Sequence, residues 1–99
     1  MRRSKEEDFL IQEELQSVKE KVRSALENAG FTSIRENNTI NQTSADYHKM
    51  TLWGNIDITM IPDGNVTRVH LKSTAKVDNI YALFSSPNDR ILRKFKNQL

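Results

Sequence analysis

Residues 52–76, LWGNIDITMIPDGNVTRVHLKSTAK, alternate apolar and polar side chains with period two on both sides of a Pro-Asp-Gly-Asn turn. That period belongs to strands with one buried and one wet face. Leu52, Gly54, Ile56, Ile58 and Met60 fall on one side of the first strand, and Trp53, Asn55, Asp57 and Thr59 on the other. In the second strand Thr67, Val69, Leu71, Ser73 and Ala75 continue the apolar side, opposed by Arg68, His70, Lys72, Thr74 and Lys76. A slip of one residue would exchange the two faces, so the register must preserve parity. A four-residue loop from Pro62 to Asn65 does so, setting Ile58 against Val69 and Ile56 against Leu71. On the wet face it sets Asp57 against His70, Asn55 against Lys72 and Trp53 against Thr74. Gly54, on the inner side, is expected to let a helix approach closely.

Upstream the period changes. Ile11, Leu15, Val18, Val22, Ala25 and Ala29 recur at spacings of four and three, and Ser4 with Glu7 three positions on has the form of a capping box. These features predict one helix from Ser4 to Ala29, closed by Gly30 with Phe31 folding back on the last turn. At 1.5 Å per residue it would be about 40 Å long, more than a sheet of ordinary strands covers. Residues 1–10 are therefore expected to project or fray, and the stripe over residues 4–22 offers a seam for a homodimer. Thr32 to Glu36 reads as a strand, Asn37-Asn38 as a tight turn, Thr39 to Ser44 as a return strand and Ala45 to Lys49 as a connection. Ile80, Leu83 and Phe84, with Tyr81 nearby, are expected to plug the sheet end. Ser86-Pro87-Asn88-Asp89 starts a last helix whose stripe is Ile91, Leu92, Phe95 and Leu99.

The expected fold is α+β in two layers: a four-stranded antiparallel meander, order 1-2-3-4, with an N-terminal and a C-terminal helix on one face. Ninety-nine residues make a single domain, 1–99. With no cysteine there is no disulfide, thiolate nucleophile or cysteine zinc site, and the two histidines, His48 and His70, lack metal-ligand spacing. No metal and no cofactor are expected. The amino terminus lacks the apolar run of a signal peptide, and no stretch reaches the roughly 20 apolar residues of a membrane span, which predicts a cytoplasmic protein.

The residues Ala29-Gly30-Phe31, Trp53-Gly54-Asn55-Ile56-Asp57-Ile58 and Leu71-Lys72-Ser73, in their order along residues 15–99, resemble a group of small bacterial α+β domains with a Trp-Gly strand motif. Some of these stand beside short C-terminal oligomerisation segments. The chain differs at Phe84-Ser85-Ser86-Pro87, where the group carries an Asp-Trp-Gly-like loop. The resemblance implies a helix, meander and helix, and carries no catalytic residues.

Net charge is +2, distributed as −1 over residues 1–30, −2 over 31–65 and +5 over 66–99. The basic end suits an acidic partner. Trp53, Asn55, Asp57, Arg68, His70 and Lys72 would share the open sheet face, which makes a non-enzymatic binding or protein-interaction module the leading expectation. Arg68, Lys72 and Lys76 beside Trp53 could instead hold single-stranded nucleic acid or an anionic surface, although the total charge is small for that role. A self-associating structural protein is a further alternative, through the N-terminal helix. Asp57 and His70 resemble an orienting carboxylate and a general base, but triad chemistry also needs a nucleophile and an oxyanion site, and the sequence marks neither. Arg90, Arg93, Lys94 and Lys96 sit where the dipole of the last helix favours cations without any partner.

Overall fold

The computed structural model describes residues 2–49, 52–76 and 87–99. The element order is β1 (Arg2–Ile11), α1 (Leu15–Ala29), β2 (Thr32–Asn37), β3 (Gln42–Lys49), β4 (Leu52–Asp63), β5 (Val66–Lys76) and α2 (Pro87–Lys96). All five strands form one antiparallel sheet in the order β1-β5-β4-β3-β2. The expected four-stranded meander headed by a helix is thus overturned: the chain begins with a strand that lies against the last one.

The physical reason lies in residues 2–14. Every apolar position that α1 buries, namely Val18, Val22, Ala25 and Leu26, lies beyond Leu15. Upstream, Phe9 and Ile11 also fit period two, and as a strand they reach the core from the inner side of β1 while its backbone pairs with β5. Without β1, the outer backbone groups of β5 would form an open edge, so ladder formation overrides the local helix signal. The capping role expected of Ser4 is absent; α1 starts after Glu14, whose side chain makes no cap hydrogen bond. Residues 2–10 therefore do not project as a helix, and residues 4–14 form no helical seam with α1.

At its other end α1 behaves as its sequence predicts. Gly30 has φ +89°, its N–H donates to the Glu27 carbonyl at 3.1 Å, and the Phe31 N–H donates to the Leu26 carbonyl at 3.0 Å. This is the paired bond pattern of a Schellman motif, with Phe31 and Leu26 as its apolar contact in the core.

The β4–β5 hairpin turns over Gly64 and Asn65 alone, since Asp63 pairs with Val66. Gly64, with φ +65°, occupies the first loop position, where a two-residue hairpin of type II′ carries glycine. The register thus differs by two residues from that of a four-residue loop: Ile58 faces Leu71 and Met60 faces Val69. Faces are unchanged by an even slip. The β2–β3 return strand starts only at Gln42, after a loop in which the Thr39 N–H donates to Asn37 Oδ1 at 3.1 Å, and residues 45–49, expected as a connection, belong to β3.

Both helices cover the same sheet face. Ile91, Leu92 and Phe95 of α2 pack with Val18, Val22, Ala25 and Leu26 of α1 over Ile56, Ile58, Met60, Val69 and Leu71, all essentially sealed from solvent. Leu99, expected to complete the α2 stripe, is exposed. At Gly54 a Cβ would lie 2.7 Å from Ile91 Cδ1 and 2.6 Å from the Thr74 carbonyl oxygen, so the missing side chain lets α2 and the neighbouring strand close in. Ser73 and Asn88 are buried together, the serine hydroxyl donating to Asn88 Oδ1 at 2.8 Å, which ties the start of α2 to β5. The expected plug of Ile80, Tyr81, Leu83 and Phe84, and the cap at Ser86, lie outside the described residues.

Candidate functional site

The outer face is built in rows across the sheet. Asp8, His70, Thr59 and Gln42 form one row, and Glu6, Lys72, Asp57 and Ser44 the next. Trp53, Asn55, Asp57, Arg68, His70 and Lys72 all fall on this face, but not in the expected partnerships. Asp57 stands opposite Lys72, and Thr59 opposite His70. The Asp57–His70 pair is absent because the two-residue loop shifts β5 along β4.

His70 is engaged from the other side. Its Nδ1 lies 2.7 Å from Asp8 Oδ1 and its Nε2 2.9 Å from Glu6 Oε1. A neutral imidazole has one N–H; both contacts are hydrogen bonds of the donor–carboxylate kind only when the ring is protonated. The bonds to Asp8 and then Glu6 accordingly hold its pKa above the ordinary histidine value, against the smaller effect of burial. With both nitrogens directed at carboxylates, neither is placed to take a proton from a substrate. Asp57 accepts a hydrogen bond from Ser44 Oγ at 2.7 Å, and Arg35 forks onto Asp46 at 3.2 and 3.3 Å.

Trp53 is 44 % exposed, its ring 3.7 Å between centroids from that of His48, which faces it across the β3–β4 ladder. Beside them lies a groove of about 260 Å³ lined by Asp46, His48, Trp53, Asn55 and Thr74 side by side. Asn55 Oδ1 is buried there without a hydrogen-bond partner among the described residues. Arg68 stands between Leu10 and Ile61, both exposed. The Lys76 side chain lies outside the described residues.

A larger space opens on the inner side, where β1 meets the helices. Glu7, Asp8, Phe9 and Ile11 of β1, Lys21 of α1, Lys96 of α2 and Leu99 beyond it bound a cleft of about 520 Å³. Its floor is apolar. Its rim is charged: Lys96 Nζ donates to Glu7 Oε2 at 2.7 Å, and Lys21 pairs with Glu13. Sequence reasoning missed this cleft, together with Glu6 and Asp8, because it assigned their segment to a helix. The signal was the period-two order of Glu7, Phe9 and Ile11 against Glu6, Asp8 and Leu10.

Among the described residues no cluster of three or more histidine, cysteine or acidic side chains could hold a metal ion, and no helix is long and apolar enough to cross a membrane.

No family model and no curated protein matches the chain. Solved structures do. A point mutant of norcoclaurine synthase from Thalictrum flavum, in complex with a transition-state analogue, matches at 8% identity and TM-score 0.66, over 99% of this chain and 91% of that one. A START superfamily protein from Mycobacterium smegmatis matches at 8% identity and TM-score 0.58, over 96% and 92%. The Zhui aromatase/cyclase from Streptomyces sp. R1128 matches at 7% identity and TM-score 0.50, over 98% and 84%. At such identities the likeness concerns the fold: a sheet gripping its C-terminal helix, of the START-like helix-grip kind.

Proposed function

We propose that this chain is a non-enzymatic binding module that takes a small molecule with an apolar body and a polar end in the cleft between β1, α1 and the end of α2. The cleft itself carries this reading. Its volume falls in the range of small-molecule sites, and an apolar floor with a few polar groups at the rim is how such sites fix orientation. Among the described residues the core side chains pack between sheet and helices, and the cleft lies beside them on the β1 side. The helix-grip likeness supports the choice: a solved norcoclaurine synthase with this fold is in complex with dopamine and hydroxybenzaldehyde.

A second reading places recognition on the open sheet face. Asn55 Oδ1, buried beside Trp53 and His48 and without a partner among the described residues, favours it, because a ligand donor there would satisfy an acceptor that is otherwise costly to bury. Binding of single-stranded nucleic acid or an anionic surface through Arg68, Lys72 and Lys76 draws less support. Glu6 and Asp57 flank Lys72 in register, and Glu6 and Asp8 hold His70, so the face is a mosaic of both signs.

Amide chemical-shift mapping with small phenols, aromatic amines, fatty acids and an oligonucleotide separates these readings. The cleft reading expects saturable shifts at Phe9, Ile11, Lys21, Lys96 and Leu99 with one of the small molecules, abolished by Ile11→Asp in a protein that stays folded. Shifts confined to His48, Trp53, Asn55 and Thr74, or saturable shifts with the oligonucleotide alone, would overturn it.

A further inference from the structure

The sheet has two edges, and they differ. β2 is six residues long and its pairing is interrupted between Thr32 and Arg35, where Ser33 adopts φ +52°. β1 is ten residues long and pairs with β5 without a break from Arg2 to Ile11, so its opposite side, on which no described strand pairs, presents a regular row of backbone donors and acceptors. Charged residues on such an edge ordinarily repel another strand. Here their order matters: positions 2, 3 and 5 are basic, and positions 6, 7 and 8 acidic.

We propose that the outer edge of β1 pairs antiparallel with the same strand of a second copy, about a twofold axis at Lys5, giving a continuous ten-stranded sheet. A twofold axis normal to the sheet keeps the helix-covered faces together and requires opposed residues to share a face. Only registers centred on a residue meet this. Centring on Lys5 sets Arg2 opposite Asp8 and Arg3 opposite Glu7, each pair occurring twice, with Ser4 opposite Glu6. Centring on Ser4 sets Arg3 against Lys5; centring on Glu6 sets that carboxylate against its own copy and leaves Arg2 and Arg3 opposite Leu10 and Phe9. The Lys5 register is therefore the one in which the guarding charges become attractive. The self-opposition of Lys5 is damped because each copy's Lys5 is already paired with Asp89 of α2. Glu7 and Asp8 contact Lys96 and His70, but a carboxylate has lone pairs for a further donor. The interface is one ladder between strand segments of complementary charge, which makes it weak and salt-sensitive. It rests on none of the cleft's ligand chemistry.

Sedimentation equilibrium at low salt, over a concentration series, tests this with two charge variants, Arg2→Glu/Arg3→Glu and Glu7→Lys/Asp8→Lys. The wild-type mass rises with concentration toward twice the 11.5 kDa of the chain and falls back on adding salt. Each variant alone stays monomeric, and an equimolar mixture recovers the dimer, because positions 2 and 8 and positions 3 and 7 again carry opposite signs. Hydrogen exchange of wild-type β1 amides provides a readout that does not depend on the variants folding: protection of the edge-facing amides increases with concentration. A wild type that is monomeric throughout, a dimer indifferent to both variants, or β1 exchange independent of concentration overturns the proposal.

Discussion

The Nδ1 of His70 lies 2.7 Å from Oδ1 of Asp8, across the ladder that joins the first strand to the last. Sequence separation between them is large, and the contact exists only because residues 2–11 form the edge strand. With Glu6 on the other ring nitrogen, it fastens β1 to the sheet most firmly when the imidazole is charged.

A direct consequence concerns pH. The folded-state pKa of His70 is raised above 6.5 by the bonds to Asp8 and Glu6, so its contribution to stability is complete below the unfolded value and is lost as pH rises through the folded one. Titration of the His70 ring protons by NMR should give an apparent pKa above 6.5, returning toward it in Asp8→Asn. The urea midpoint should fall across the same window in the wild type and much less in His70→Ala. A His70 titrating at or below 6.5 contradicts the clamp.

Gly54→Ala tests how closely α2 sits. A Cβ there meets backbone at Thr74 and the end of Ile91, and the backbone contact cannot be relieved by a rotamer change. Overpacking of this kind costs about 1–3 kcal/mol. Chemical denaturation reads it directly, and adding Ile91→Val to the alanine variant should recover part of the loss, since it removes one of the two obstructing groups.

At Gly30 the expected effect is conformational. The nearest side chain to a new Cβ is the flexible end of Lys49, but φ is +89°, where an L-residue is strained by about 1–2 kcal/mol. Gly30→Ala should lower stability by that order, and Gly30→Asn by less, because asparagine tolerates the left-handed region. Equal losses in thermal unfolding would mean that space, not φ, is limiting.

Ser73→Ala removes a buried donor to Asn88 without changing the shape of β5. A lost buried hydrogen bond of this type costs about 1–3 kcal/mol. The loss should appear as faster hydrogen exchange in α2 well before the β4–β5 amides are affected; uniform acceleration would show that α2 does not open separately.

Two features could be read from neighbouring residues alone. The closing turn of α1 follows from Leu26, Gly30 and Phe31, because a left-handed glycine and its apolar flank are local chemistry. The division of residues 52–76 into a buried and a wet face follows from period two, which assigned Trp53, Asp57 and His70 to the outer side and Ile56, Ile58 and Leu71 to the core. Alternation is unchanged by a slip of two, so it could not choose between a loop at Pro62 to Asn65 and one at Gly64-Asn65; Asp57 consequently meets Lys72. Residues 4–11 read as a helix start, from Ser4 with Glu7, and the period-two order of Phe9 and Ile11 is hidden beneath that signal. The open edge of β5, formed from residues some sixty positions away, decided for the strand, and in doing so placed Glu6 and Asp8 on His70 and Phe9 and Ile11 at the mouth of the cleft. Tertiary pairing overrode the local helix signal, because as a strand the segment gains a ladder with β5 and brings Phe9 and Ile11 to the core.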